Sequence, residues 1–166
     1  MNLHDLKQEM PEIFEKVKKD VRNVLGLHRA GLSLGLVELG MFRDGFIGGM
    51  HFYPGTEIVM NKSPLRIILE THSYEIVWAY TYHILLHEYI HSLGIIDEFQ
   101  CRIITIKVTE EIFQDFDHPA LIIAKNGIGT FIPKLKLLYI PPEKKPDDIL
   151  IEYVYGFDKE SQTYFS

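Results

Sequence analysis

The chain has 166 residues, 46% hydrophobic and 24% charged, with a formal net charge of -6 and a pI near 5.7. That length predicts a single domain spanning residues 1–166 around one core, and the acidic balance speaks against a nucleic-acid partner, which needs a clustered basic surface. A charged N-terminal stretch, no apolar run of about 18 residues and a lone cysteine, Cys101, which excludes an internal disulfide, predict a cytoplasmic protein with no membrane partner.

Leu3, Leu6, Met10, Ile13, Phe14, Val17, Val21, Val24 and Leu25 recur at three- and four-residue steps. They predict an amphipathic helix that stops at Gly26, with Pro11 free to kink or restart it. Residues 31–40 and 45–53 are short, glycine-rich apolar runs and read as strands joined by the turn Arg43-Asp44-Gly45. No phosphate-binding glycine pattern is among them. Pro54-Gly55 marks a further turn before a short strand over 57–61. Ser63-Pro64 reads as N-cap and first residue of a helix reaching about Glu70.

The segment from Ser73 to Leu93 is apolar nearly all round, which predicts a helix in the interior. Phe99, Ile103, Ile106 and Phe113 fit helical spacing, while residues 104–109 also alternate as a strand would; helix is the reading adopted. His118-Pro119 opens another helix, which Asn126-Gly127 ends. The tail offers two strand-like segments around the loop 141–148. The fold expected is α+β, a small mixed sheet packed on an N-terminal helix and a buried active-site helix, with a mainly helical C-terminal part.

The buried helix carries His87-Glu88-Tyr89-Ile90-His91. Histidines four apart on a helix lie one turn from each other, about 6 Å along the axis and about 40° around it, so one ion can bridge both imidazoles. Glu88 is rotated by about 100° from His87, which suits a base holding a water better than a third ligand. On an unbroken helix Asp97 would lie about 9 Å past His91 and roughly 240° around the axis, facing away. Gly94 can end the helix with positive φ and send the chain back, so that Asp97 closes the triangle. Glu98, Glu110, Glu111 and His118 could also fill that third position. His83, one turn before His87, reads as either a neighbour of the metal or a core histidine bonded to a carbonyl. Cys101 reads as a buried thiol in preference to a ligand.

The stretch His87 to Asp97 resembles the metzincin-type zincins, in particular the snapalysin-like form HExxHxxGxxD. The resemblance covers about a dozen residues and implies a zincin-like fold, Zn2+ as cofactor, His87, His91 and Asp97 as its ligands, and Glu88 as catalytic base. It implies a zinc-dependent peptidase acting on a peptide or protein substrate, with the strand before the active helix, here 57–61, pairing with extended substrate at the sheet edge. One feature departs from the family: Met1, Met10, Met41, Met50 and Met60 all precede the motif, so no methionine turn follows it. An oxyanion-stabilising tyrosine could come from Tyr139, Tyr153 or Tyr155. The rival reading is a zincin-fold binding module that keeps zinc but hydrolyses nothing. An intact Glu88 argues against that, because a purely structural zinc needs no base.

Overall fold

In the computed structural model the described residues are 1–52, 54–133 and 135–159. The first helix, α1 (Leu3–Leu25), is a single helix through Pro11. Asn2 and Asp5 form a reciprocal capping box at its start, and Gly26, at φ 69°, takes the left-handed conformation that ends it. Its apolar stripe (Leu6, Met10, Ile13, Phe14, Val17, Val21) is fully buried, each side chain contributing about 1.5–3 kcal/mol of apolar transfer.

Strands β1 (Ser33–Val37), β2 (Phe46–Ile47), β3 (Gly49–Phe52) and β4 (Glu57–Asn61) follow. The turn before Gly45 forms, closed by the Phe42–Gly45 bridge, but it does not join adjacent strands of the main sheet. The main sheet has the order β3-β4-β1-β6, where β6 is Glu152–Tyr153, and β2 pairs separately and in parallel with β5 (Leu137–Leu138). β1 runs parallel to β4, while β3 and β6 are antiparallel to their neighbours. This corrects the expectation for residues 57–61. β4 is hydrogen-bonded on both sides, so its backbone groups are already used and it cannot accept a further strand. The strand at that edge is β3.

Helix α2 (Lys62–Thr71) starts earlier than Ser63-Pro64 suggested, because Asn61 is the cap and its side chain accepts the Ser63 N–H. Helix α3 (Tyr74–Ser92) runs through the middle of the molecule, packed against α1, α4 (Glu98–Ile112), α5 (Pro119–Asn126) and β3. Every residue from Ala79 to Ser92 is buried, as the apolar circumference of that segment requires. The C-terminal part is helical only through α5 and a short 3-10 turn, Ile128–Thr130; thereafter it is extended and contributes β5 and β6. The mixed α+β architecture with a small mixed sheet is the one expected. No helix among the described residues is long and apolar enough to cross a membrane.

Candidate metal centre

The site is built on the last turns of α3 and the first turn of α4. α3 ends at Ser92 with Leu93 as its C-cap, and Gly94 takes φ 100°, a conformation that L side chains rarely adopt. The chain reverses there, and the Ile95 carbonyl comes back to the His91 ring, 2.8 Å from Nδ1. A carbonyl only accepts, so Nδ1 carries a proton and Nε2 faces the site, where it donates to an anion when protonated and offers a lone pair to a cation when not.

His87 and His91 face each other, with ring centroids 4.8 Å apart at 82°. Both Nε2 atoms meet one carboxylate, that of Glu98: Oε1 is 2.6 Å from His87 and Oε2 is 3.0 Å from His91. Asp97 is not part of this convergence, which corrects its expected placement. Its carboxylate accepts the Gln100 N–H at 2.8 Å as the N-cap of α4, and this turns it away from the imidazoles. Gly94 does return the chain, as expected, but the residue delivered to the histidines is the next one along. Asp97-Glu98-Phe99-Gln100 has the form of a helix-capping sequence, and this signal would have assigned Asp97 to the cap. Glu110 and His118 are engaged elsewhere: Glu110 forms an ion pair with Lys125 at 3.2 Å, and His118 caps α5 by accepting the Ala120 N–H at 3.1 Å.

The electrostatics follow from burial. Burial alone would raise the Glu98 carboxyl, but hydrogen bonds and charge from His87 and His91 outweigh it and hold the pKa at about 2. Desolvation keeps His87 below its usual value. For His91 burial acts in the same direction, yet the bond to Glu98, the charge of Glu88 and the Ile95 carbonyl outweigh it, and the net shift is upward. Glu88 is buried, and desolvation pushes its pKa up to about 8. Its Oε1 has no hydrogen-bond partner among the described residues. An orphaned buried carboxylate oxygen is costly, about 1–3 kcal/mol or more, unless a water or cation answers it.

These features fit a metal cation. The Nε2 atoms of two imidazoles converge on one carboxylate, where a cation could replace the protons they share with it, the unpartnered Glu88 carboxyl lies alongside, and the Ile95 carbonyl holds a proton on His91 Nδ1. Cys101 also belongs to the neighbourhood. The donor atoms of His87, His91 and Cys101 lie within 4.8 Å of one another, all three residues being buried. Its thiol donates to the His87 carbonyl at 3.3 Å, and burial holds its pKa well above the usual thiol range. The buried His-His-Cys group is thus capable of binding a metal ion, with Glu98 meeting the same two histidines.

Tyr139 flanks the site. Its ring lies 4.6 Å from that of His87, and its hydroxyl is 2.9 Å from Nε2 of the buried His83. His83 therefore pairs with a tyrosine, not with a backbone carbonyl. Tyr155, by contrast, is 93% exposed, and Tyr153 donates to Glu57, remote from the histidines. On the opposite side β3 approaches closely: a Cβ built on Gly49 would lie 2.8 Å from the Val59 carbonyl oxygen and 3.5 Å from Glu88 Cγ.

No protein-family model matches the chain, and no curated protein or solved structure matches it either.

Proposed function

We propose that the chain is a zinc-dependent peptidase with a zincin-like site, in which His87, His91 and Glu98 hold the metal and Glu88 is the general base. The observation that carries this reading is the convergence of both Nε2 atoms on the Glu98 carboxylate, with Glu88 buried and unpartnered beside them. Two imidazoles and one carboxylate are a donor set suited to catalytic zinc, leaving a position for water or substrate. Zinc bound there supplies an activated water and a polarised carbonyl. Glu88, shielded from solvent, takes a proton from the attacking water and passes it to the leaving amine. Tyr139, beside His87, is the tyrosine placed to donate a hydrogen bond to the developing oxyanion when His83 Nε2 donates to its hydroxyl oxygen and so leaves the O–H free. β3, not residues 57–61, is the strand next to Glu88 at the sheet edge; its far end is bridged to Glu143 at His51 and Phe52, so the Gly49–Met50 end is the segment we assign to pairing with extended peptide.

The test has two measurements. Purified protein should hold about one equivalent of zinc. Glu88→Gln should keep that zinc and lose cleavage of a peptide library; equal cleavage by variant and wild type would sink the mechanism.

One observation favours a second reading, a zinc-holding binding module. If Cys101 joined His87, His91 and Glu98, four protein donors would close the coordination sphere, as in structural zinc sites. Cys101→Ala separates the two. Unchanged zinc and activity support the peptidase, while loss of zinc supports the closed site.

A further inference from the structure

Beyond Tyr139 lies a cleft of about 250 Å³ between α4, the end of α5 and β5. It is smaller than the roughly 300–1,000 Å³ usual for an organic cofactor, and it suits one side chain or chain end. Three of its lining residues are cations, Arg102, Lys125 and Lys136, and none is acidic. In a chain of net charge -6 such a grouping is not a sample of the average surface.

Lys125 is paired with Glu110, outside the cleft. Arg102 and Lys136 are exposed, and neither makes an ion pair among the described residues. Arg102 lies one turn after Glu98 on α4, at a spacing that would allow an ion pair between them. The guanidinium turns instead to the Tyr139 ring, 4.8 Å from its centroid. That ring is the common wall of the two sites, since it also lies 4.6 Å from the His87 ring. An anion held by Arg102 would be separated from the histidine pair by the breadth of one aromatic side chain. One to two residues of extended peptide, at about 3.5 Å each, cover such a reach. At the far end of the cleft, where α5 ends, the Ile123 carbonyl accepts the Gly127 N–H at 2.9 Å.

We propose that this cleft, through Arg102 and Lys136, binds a carboxylate of the substrate lying one or two residues from the bond that is cleaved. The proposal rests on the peptidase reading for its link to cleavage, but the binding site can be tested by itself. The carboxylate is either the free C-terminus of a short peptide or an acidic side chain.

Calorimetric titration of the full chain, with and without EDTA, can use three probes: N-acetyl-trialanine with a free terminus, its C-terminal amide, and N-acetyl-Ala-Asp-Ala-amide. The free acid or the aspartyl peptide should bind on the order of tenfold more tightly than the trialanine amide. Whichever acidic probe shows the preference identifies the source of the carboxylate. Arg102→Gln and Lys136→Gln, both surface changes, should each reduce the preference and together abolish it. Equal binding of acid and amide probes by wild type overturns the proposal, as does a preference that survives both substitutions. A preference removed by EDTA but not by Arg102→Gln assigns the carboxylate to the metal and also overturns it. Inorganic phosphate competing as strongly as the peptide acids would make the cleft a simple anion site and reject the substrate role. Zinc content measured on the same samples keeps the two questions separate. Wild type without zinc defeats the peptidase reading and leaves the titrations interpretable.

Discussion

Asp97 and Glu98 are neighbours with similar side chains, yet the structure gives them opposite work. The N-cap conformation of Asp97, φ -61° and ψ 125°, aims its carboxylate at the Gln100 N–H, and Glu98 then begins the helix facing the imidazoles. Two substitutions separate the roles. Asp97→Ala should keep bound zinc and cost about 1 kcal/mol of stability through loss of the cap. Glu98→Ala should lower zinc affinity by at least tenfold, measured by competition with a chromogenic chelator; the reverse pattern would restore Asp97 as ligand. Gly49 is a further residue-scale test. A Cβ there would meet the Val59 carbonyl oxygen and Ile84 Cγ2, each at 2.8 Å. Gly49→Ala should therefore destabilise the fold by about 1–3 kcal/mol through overpacking, read as a lower urea midpoint.

At the scale of elements, the site is held by a helix end, a reversal and a second helix. Gly94 makes the reversal, and nothing lies within 4 Å of the Cβ position built on it, so backbone conformation and not space demands glycine there. Gly94→Ala should cost about 1–2 kcal/mol and loosen zinc as well, because His91 takes its orientation from the Ile95 carbonyl in the same turn. A separate junction joins the strands to α2. The side chain of Asn61, fully buried, accepts from Leu39 and Ser63 N–H and donates to the Gly40 and Ile47 carbonyls, all at 2.9–3.1 Å. One residue thus caps α2 and ties down the segment after β1 and the end of β2. Asn61→Ala removes that cap and strands buried carbonyls, for an expected loss of about 3 kcal/mol in urea denaturation.

At the scale of the whole molecule, the tail is tied to the first helix by a buried ion pair, Lys18 to Asp158 at 2.8 Å, and Asp158 also accepts the Leu32 N–H at 3.1 Å. Both charged side chains are out of water. Lys18 also meets Glu15 at 3.1 Å, so removing Asp158 weakens its charge compensation without abolishing it, and the Leu32 N–H loses its acceptor. Asp158→Ala should lower stability by about 1–3 kcal/mol, with the urea midpoint falling while the slope holds if unfolding stays cooperative. Zinc affinity should change little in that variant at temperatures where it is folded, since these residues lie apart from the histidines.

Much of this could be read along the chain because it depends on local rules. The periodicity of α1, its stop at Gly26, the apolar circumference that places α3 in the interior and the i,i+4 spacing of His87 and His91 follow from helix geometry alone. The reversal at Gly94 was legible too, because it needs a residue without Cβ. Contacts between distant segments were not legible. That β4 lies between β1 and β3, that Tyr139 reaches His87 from a segment far along the chain, and that Arg102 and Lys136 share a cleft depend on how the elements pack, and no spacing encodes them. The carboxylate that meets the two histidines falls between these cases. The sequence placed a carboxylate just beyond the glycine; the fold decided between Asp97 and Glu98, because the cap of α4 takes the first and leaves the second facing the histidines.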